Sequence, residues 1–154
     1  MSVLTEARPV TQVALILNPT ISIVDVDMEN MTVDLVVKGA GIHWDPVNQT
    51  ITLRPPAGTL GPVSYDIPIT IDPTLPDLRF YDPAALLEIT GNTEAGVLYS
   101  PAPGGIEISL ALFDALQEGE APLSLSLAFQ FTHVGTGVTA RIDPTLILKP
   151  PSGP

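Results

Sequence analysis

The sequence contains no cysteine. That excludes a disulfide framework, a thiolate zinc site and a thiol nucleophile. Cations are scarce: six Lys and Arg stand against 17 Asp and Glu, a formal net charge of −11. The acids are spread over both halves, with neither an acidic tail nor a basic patch. A surface of this sign repels phosphate, so neither nucleic acid nor an anionic membrane is an expected partner. Aromatic residues are 5% of the chain, too few for the girdles of a transmembrane barrel. No apolar run is long and clean enough to span a bilayer as a helix. Residues 1–9 lack the features of a secretion signal, and Thr11 and Gln12 break the apolar stretch that follows. The expectation is a protein made and folded without export, or a mature fragment whose signal was removed.

What is present is apolar and alternating. Hydrophobic residues make up 45% of the chain and charged ones 15%, against roughly 25% charged in an average soluble domain. Val63, Tyr65, Ile67, Ile69 and Ile71 alternate with Ser64, Asp66, Pro68 and Thr70. The odd positions from Leu123 to His133 are apolar up to Phe131 and alternate with small or polar residues. Period two over such lengths marks strands with one buried face. Pro68 lacks a ladder donor, which predicts an edge strand or a bulge there. Further strands are expected at 10–17, 20–28, 31–37, 49–54, 106–112, 138–142 and 146–148, separated by turn residues such as Asn18-Pro19. Helix is expected only briefly, at Asp82–Glu88, where Asp82 caps and Pro83 opens the turn, and at Phe113–Gln117. The fold class read from this pattern is all-β: an antiparallel sandwich or barrel-like domain with one or two short helices and extended N- and C-terminal arms. Residues 1–9 form the N-terminal arm, 10–148 a single β-domain, and 149–154, Lys-Pro-Pro-Ser-Gly-Pro, a Pro-rich tail.

One echo runs along the chain. Ile71-Asp72-Pro73-Thr74-Leu75 recurs as Ile142-Asp143-Pro144-Thr145-Leu146. A duplicated sheet would produce it. The favoured reading is that Asp-Pro-Thr makes a good strand-ending turn, because Asp accepts nearby N–H groups and Pro presets φ.

Chemistry-bearing groups are few. Asp25, Asp27 and Glu29 alternate, so on a strand they would share a face that could hold a hard cation such as calcium. The EF-hand spacing fails, because its sixth position is Asn30 and its twelfth Val36. A solvated strand face is favoured, and no metal or cofactor is expected. His43 and Asp45 flank Trp44 in the densest polar-aromatic cluster, where a carboxylate beside an imidazole would tune a base. No Gly-x-Ser-x-Gly elbow supplies a nucleophile. His133 ends an apolar strand face and is expected to be a hydrogen-bonded structural residue. The chain is therefore expected not to be an enzyme. Trp44, Tyr65, Tyr81 and Tyr99 would be the rings of a sugar-stacking face, but core or rim packing is favoured. Gly39-Ala40-Gly41 and Gly58–Gly61 read as turns rather than phosphate loops. Asn30-Met31-Thr32 and Asn48-Gln49-Thr50 fit the N-glycosylation pattern.

In size, composition, absence of cysteine and arm-like ends, the chain resembles the decoration (cement, head-stabilising) proteins of tailed-bacteriophage capsids. The resemblance rests on general character over most of the chain and on no diagnostic motif. It implies a non-enzymatic structural protein on the virion surface, assembled in the host cytoplasm. It also implies a homo-oligomer, expected as a trimer, that binds the major capsid protein and stabilises the shell. Residues 1–9 would then be the gripping arm, with Val3, Leu4, Arg8 and Pro9 at the contact. The alternative is an extracellular Ig-like or cohesin-like binding or adhesive module of a larger secreted protein. An eight-stranded outer-membrane barrel suits the length but not the 17 prolines. A ligand-carrying barrel has no positive mark.

Overall fold

The computed structural model describes residues 15–59, 63–80, 87–89, 96–101, 107–115 and 121–151. In chain order the strands are β1 (Leu15–Leu17), β2 (Thr20–Asp27), β3 (Thr32–Lys38), β4 (Ile42–Asp45) and β5 (Thr50–Leu53). They continue as β6 (Val63–Ile71), β7 (Leu78–Phe80), β8 (Leu87–Ile89), β9 (Gly96–Pro101) and β10 (Glu107–Ala115). The last four are β11 (Leu123–Leu127), β12 (Phe129–His133), β13 (Thr139–Ile142) and β14 (Thr145–Leu148). They form a sheet ordered β3-β2-β6-β10-β9, with β1 also on β6, a second ordered β4-β5-β14-β11-β8, and a third ordered β13-β12-β7. The whole is all-β and partly curled, as a half-barrel.

The first two sheets are mixed and the third is antiparallel, which corrects the expected all-antiparallel arrangement. β1 and β2 both run parallel to β6, and β5 runs parallel to β14. The cause is the chain's route. After the β2–β3 hairpin it crosses to the second sheet for β4 and β5, then returns as β6 beside β2. A strand that returns by a crossover lies parallel to its neighbour. The first corner, between β3 and β4, uses Gly39 and Gly41, both at positive φ. Gly41 also lies so close to the Arg54 carbonyl that a Cβ would collide with it.

No helix occurs among the described residues. Leu87 and Glu88 lie in β8, and Phe113–Ala115 continue β10; the remainder of both expected helices lies outside the described residues. In the second case pairing with β9 and β6 outweighs a weak local preference, since Leu112 and Phe113 face Val97 and Gly96. Pro68 is also corrected, for β6 is an interior strand with β10 on one side and β1 and β2 on the other.

The expected long strand from Leu123 to His133 is divided at Ala128 between two sheets. Its partner is divided opposite, at Asp143-Pro144, and the Leu127 N–H donates to the Pro144 carbonyl at 2.9 Å. The second and third sheets thus share one long hairpin, β11–β12 with β13–β14, bent at a common corner. This also separates the two Asp-Pro-Thr segments. The first is a turn closed by Asp72, whereas the second is the bend, with Asp143 beside Arg141 at 3.3 Å.

The core follows the alternation. Val63, Tyr65, Ile67, Ile69 and Ile71 are buried together with Leu123, Leu125 and Leu127, with Ile21 and Ile23 of β2, Ile51 and Leu53 of β5, and Leu146 and Leu148 of β14. Phe80, Phe129 and Phe131 pack together with ring centroids 5.6–6.0 Å apart, Phe80 stacked on Phe131 and both tilted against Phe129. Past β14, the Lys149 N–H donates to the Leu53 carbonyl at 2.8 Å and an Arg54 guanidinium N–H to the Pro150 carbonyl at 3.2 Å, so the start of the tail lies along the body. The expected arm, 1–9, is outside the described residues.

Candidate functional site

No charged side chain is buried among the described residues, so any site for a charged partner lies at the surface. Its most developed part is one end of the molecule, where hairpin tips gather. The β2–β3 and β4–β5 turns are built alike. Asp27 accepts the N–H groups of Glu29 and Asn30, each at 3.0 Å, and the Asn30 side-chain amide at 2.8 Å. Asp45 accepts the N–H groups of Val47 and Asn48 at 3.0 and 3.2 Å, and the Asn48 side-chain amide at 2.8 Å. Met31 and Gln49 follow in the left-handed region, with φ of 58° and 51°. The shared signal is Asp-x-x-Asn-x-Thr, in which the carboxylate and the amide close the turn together. The two glycosylation-like triplets are the tails of these turns. Sequence reading found the triplets and missed the aspartate that explains them.

Several expected site residues lie in or beside these turns. Both Asp27 oxygens serve the turn, and Asp25 and Asp27 keep one register with β3, but Glu29 lies in the turn rather than on the strand. The three carboxylates therefore do not share one strand face, because Glu29 lies beyond the end of β2. No group of three or more acidic, His or Cys side chains stands close enough to hold a metal among the described residues. Asp45 is likewise committed to its turn. Hydrogen bonds from the Asn48 amide and backbone hold its carboxyl below the usual range, with a smaller contribution from His43. Trp44 packs against the core, and its indole N–H points to Asp34 at 3.4 Å. Tyr65 is buried, with no hydrogen-bond partner for its hydroxyl, and burial pushes it up to about 12. These two rings thus pack as core and rim. Tyr81 and the Tyr99 side chain lie outside the described residues, as do Val3, Leu4, Arg8 and Pro9.

A cavity of about 240 Å³ opens at this end, lined by Asp25, Val26 and Met28, by Thr74–Leu78, and by His133. Asp25 and Val26, which line it, directly follow the bulge in β2. The wall from Thr74 to Asp77 is fixed by Asp72, which accepts the Thr74 N–H at 2.8 Å and its hydroxyl at 2.7 Å. The Val134 N–H donates to the Asp77 carbonyl at 2.7 Å and ties this wall to the β12–β13 hairpin. His133 accepts the Thr136 N–H at Nδ1, 3.2 Å away, which leaves Nε2 to carry the proton of the neutral ring. It is a hydrogen-bonded structural histidine whose outer edge meets the cavity. The apolar floor and acidic rim suit an organic cation, and the Thr136 hydroxyl also lies 3.2 Å from His133 Nδ1.

No family model matches the chain, and no curated protein matches it. Among solved structures it is similar to the crystal structure of an inclusion body protein (PixA) from Burkholderia cenocepacia J2315. That similarity has 8% identity and a TM-score of 0.49, and it covers 98% of this chain and 99% of that one. At this level it carries no argument about function.

Proposed function

We propose that the chain is a non-enzymatic structural module that associates with copies of itself and docks on a larger assembly. The larger assembly is the outer surface of a viral capsid, which the resemblance in general character implies. The observation that carries the reading is the set of apolar side chains left in water at the hairpin tips. Val47 is 89% exposed and Val134 61%, and Met31 and Val138 are also exposed. Met31 and Val47 sit on turns joined through Gln49 and Val33. Val134 sits on the hairpin that closes the cavity beside Met28. Scattered exposed valines are ordinary, but apolar tips gathered at one end fit a contact surface. The surrounding acids, Asp25, Asp27, Glu29, Asp34, Asp45 and Asp77, keep that end soluble and select a partner of complementary charge. Sedimentation velocity over a range of concentrations tests the reading. A homo-oligomer, expected as a trimer, that also binds shells of the major capsid protein supports it. A monomer at high concentration with no affinity for shells overturns it.

A further inference from the structure

We infer that the cavity walled by β2, residues 74–78 and His133 is the seat for the N-terminal segment of a second copy of this chain, with the Arg8 guanidinium at its acidic rim. The inference rests on the assembly reading and deepens it by giving the arm a receptor on the neighbouring copy.

The wall fixes the chemistry of the occupant. Val26, Met28, Leu75 and Leu78 supply an apolar floor, and Asp25 and Asp77 stand exposed at the rim. The carboxylates do not converge into a metal cluster, so they suit a spread-out organic cation with a hydrocarbon stem. A guanidinium on its methylene chain is such a group. At about 240 Å³ the cavity falls below the roughly 300–1,000 Å³ of ordinary small-molecule sites, a size that favours one long side chain over a whole ligand.

Of the four arginines, Arg8 alone lies outside the described residues. Arg54 is held at Pro150, Arg79 at Pro76 and Leu78, and Arg141 at Asp143. Arg8 lies in the segment before Leu15, followed by Pro9 and Val10. Geometry disfavours its own cavity. Leu15 faces Val63 at the start of β6, and the cavity adjoins the far end of that nine-residue strand, roughly 26 Å away at ~3.3 Å per residue. β1 runs parallel to β6, so the chain enters Leu15 from the end opposite the cavity. The stretch from Arg8 to Leu15 reaches at most about 25 Å fully extended, and would have to reverse at once. A neighbouring copy presents its cavity without that constraint.

The absence of cysteine makes disulfide trapping clean. Full-length Arg8→Cys carrying a size tag is mixed with full-length Asp77→Cys under mild oxidation, and the mixed disulfide is followed on non-reducing gels. Arg8→Cys with Ala57→Cys, an exposed position beyond the opposite end of β5, is the control. Mixed disulfide at least fivefold above the control supports the inference. A mixed disulfide at control level, from protein that sediments as an oligomer, overturns the inference and leaves the assembly reading intact. A monomer by sedimentation overturns the assembly reading itself. Asp25→Asn/Asp77→Asn should weaken the oligomer by about two- to tenfold at low salt, an effect that fades in high salt; an unchanged dissociation constant counts against the charge contact.

Discussion

Gln49 pairs with Val33 as another strand would: the Val33 N–H donates to Gln49 Oε1 at 2.9 Å, and Gln49 Nε2 donates to the Val33 carbonyl at 3.0 Å. The same Nε2 also reaches the Pro46 carbonyl at 2.9 Å. One side chain thereby closes an edge of the first sheet and ties it to the second sheet's hairpin. Next along the edge, the Leu35 N–H donates to the Asp34 carboxylate at 3.0 Å. Unpaired edge groups are templates for association, so these two side chains direct contacts away from β3 and toward the hairpin tips.

Gln49→Gly isolates that role. Gln49 occupies positive φ, where glycine is at ease, so the turn itself keeps its conformation. Loss of the amide should still destabilise the fold by about 1–3 kcal/mol in urea unfolding, because Val33 loses both partners. It should also speed aggregation on heating. A Gln49→Gly variant as stable and as soluble as the parent would show that the edge needs no cap.

Acid sensitivity follows from the turns. Hydrogen bonds lower the carboxyl of Asp27, chiefly from the Asn30 backbone, that of Asp45, chiefly from the Asn48 side chain, and that of Asp72, chiefly from the Thr74 backbone. A carboxyl whose folded value is depressed stabilises the fold above its unfolded value, near ~3.9. That contribution is lost as pH falls through the folded value. The melting temperature should therefore fall below about pH 4. In Asp27→Asn/Asp45→Asn/Asp72→Asn the fall should be shallower, while the melting temperature at neutral pH should be lower than the parent's. Equal acid slopes for parent and triple variant would remove these turns as the cause.

Much of this fold was legible because alternation is a local property. The segment from Val63 to Ile71 reads as a strand, and it is one, residue for residue. What local reading lacked was the partner. Pro68 suggested an edge, yet β6 is interior. Leu15 faces Val63 and Ile21 faces Ile69 in one unbroken register, so β1 and β2 act as a single strand interrupted at Asn18-Pro19. The Asp72 N–H donates to Ile23 on that side. By alternation, the missing Pro68 donor falls there too, level with the interruption. An interior proline is tolerated because its neighbour is broken at the same level. The bend at Ala128 was hidden likewise, since its cause is Pro144 on the partner strand. At the candidate site, Asp25 and His133 were noticed singly. Only the 74–78 segment, read as a plain turn, brings them to one cavity.

Tyr65 carries a hydroxyl that the interior does not satisfy. A buried unpaired hydroxyl costs about 1–3 kcal/mol, and removing it leaves the ring packing in place. Tyr65→Phe should therefore unfold at equal or higher urea concentration than the parent. Alkali should act in the opposite sense on the parent. Burial raises this phenol to about 12, so its neutral form stabilises the fold below pH ~10, the unfolded value, and that stabilisation is lost as pH rises toward the folded value. Tyr65→Phe should resist alkali better than the parent. A variant less stable at neutral pH would mean that the hydroxyl has a partner, such as a buried water.

Gly41 and Gly58 separate backbone strain from crowding. Both have positive φ, 75° and 79°, so alanine at either place adopts a conformation costing about 1–2 kcal/mol. Around Gly58 a Cβ meets nothing within 4 Å, whereas at Gly41 it meets the Arg54 carbonyl. That carbonyl belongs to the corner where the chain leaves the first sheet, and the Arg54 N–H donates back to Gly41 at 2.8 Å. Gly58→Ala should cost only the conformational term. Gly41→Ala should cost about 3 kcal/mol or more, because the collision adds to the strain and breaks the corner bond. Urea unfolding of both variants measures the difference directly. Equal losses would show that the corner relaxes freely and does not fix how the sheets curl around the core.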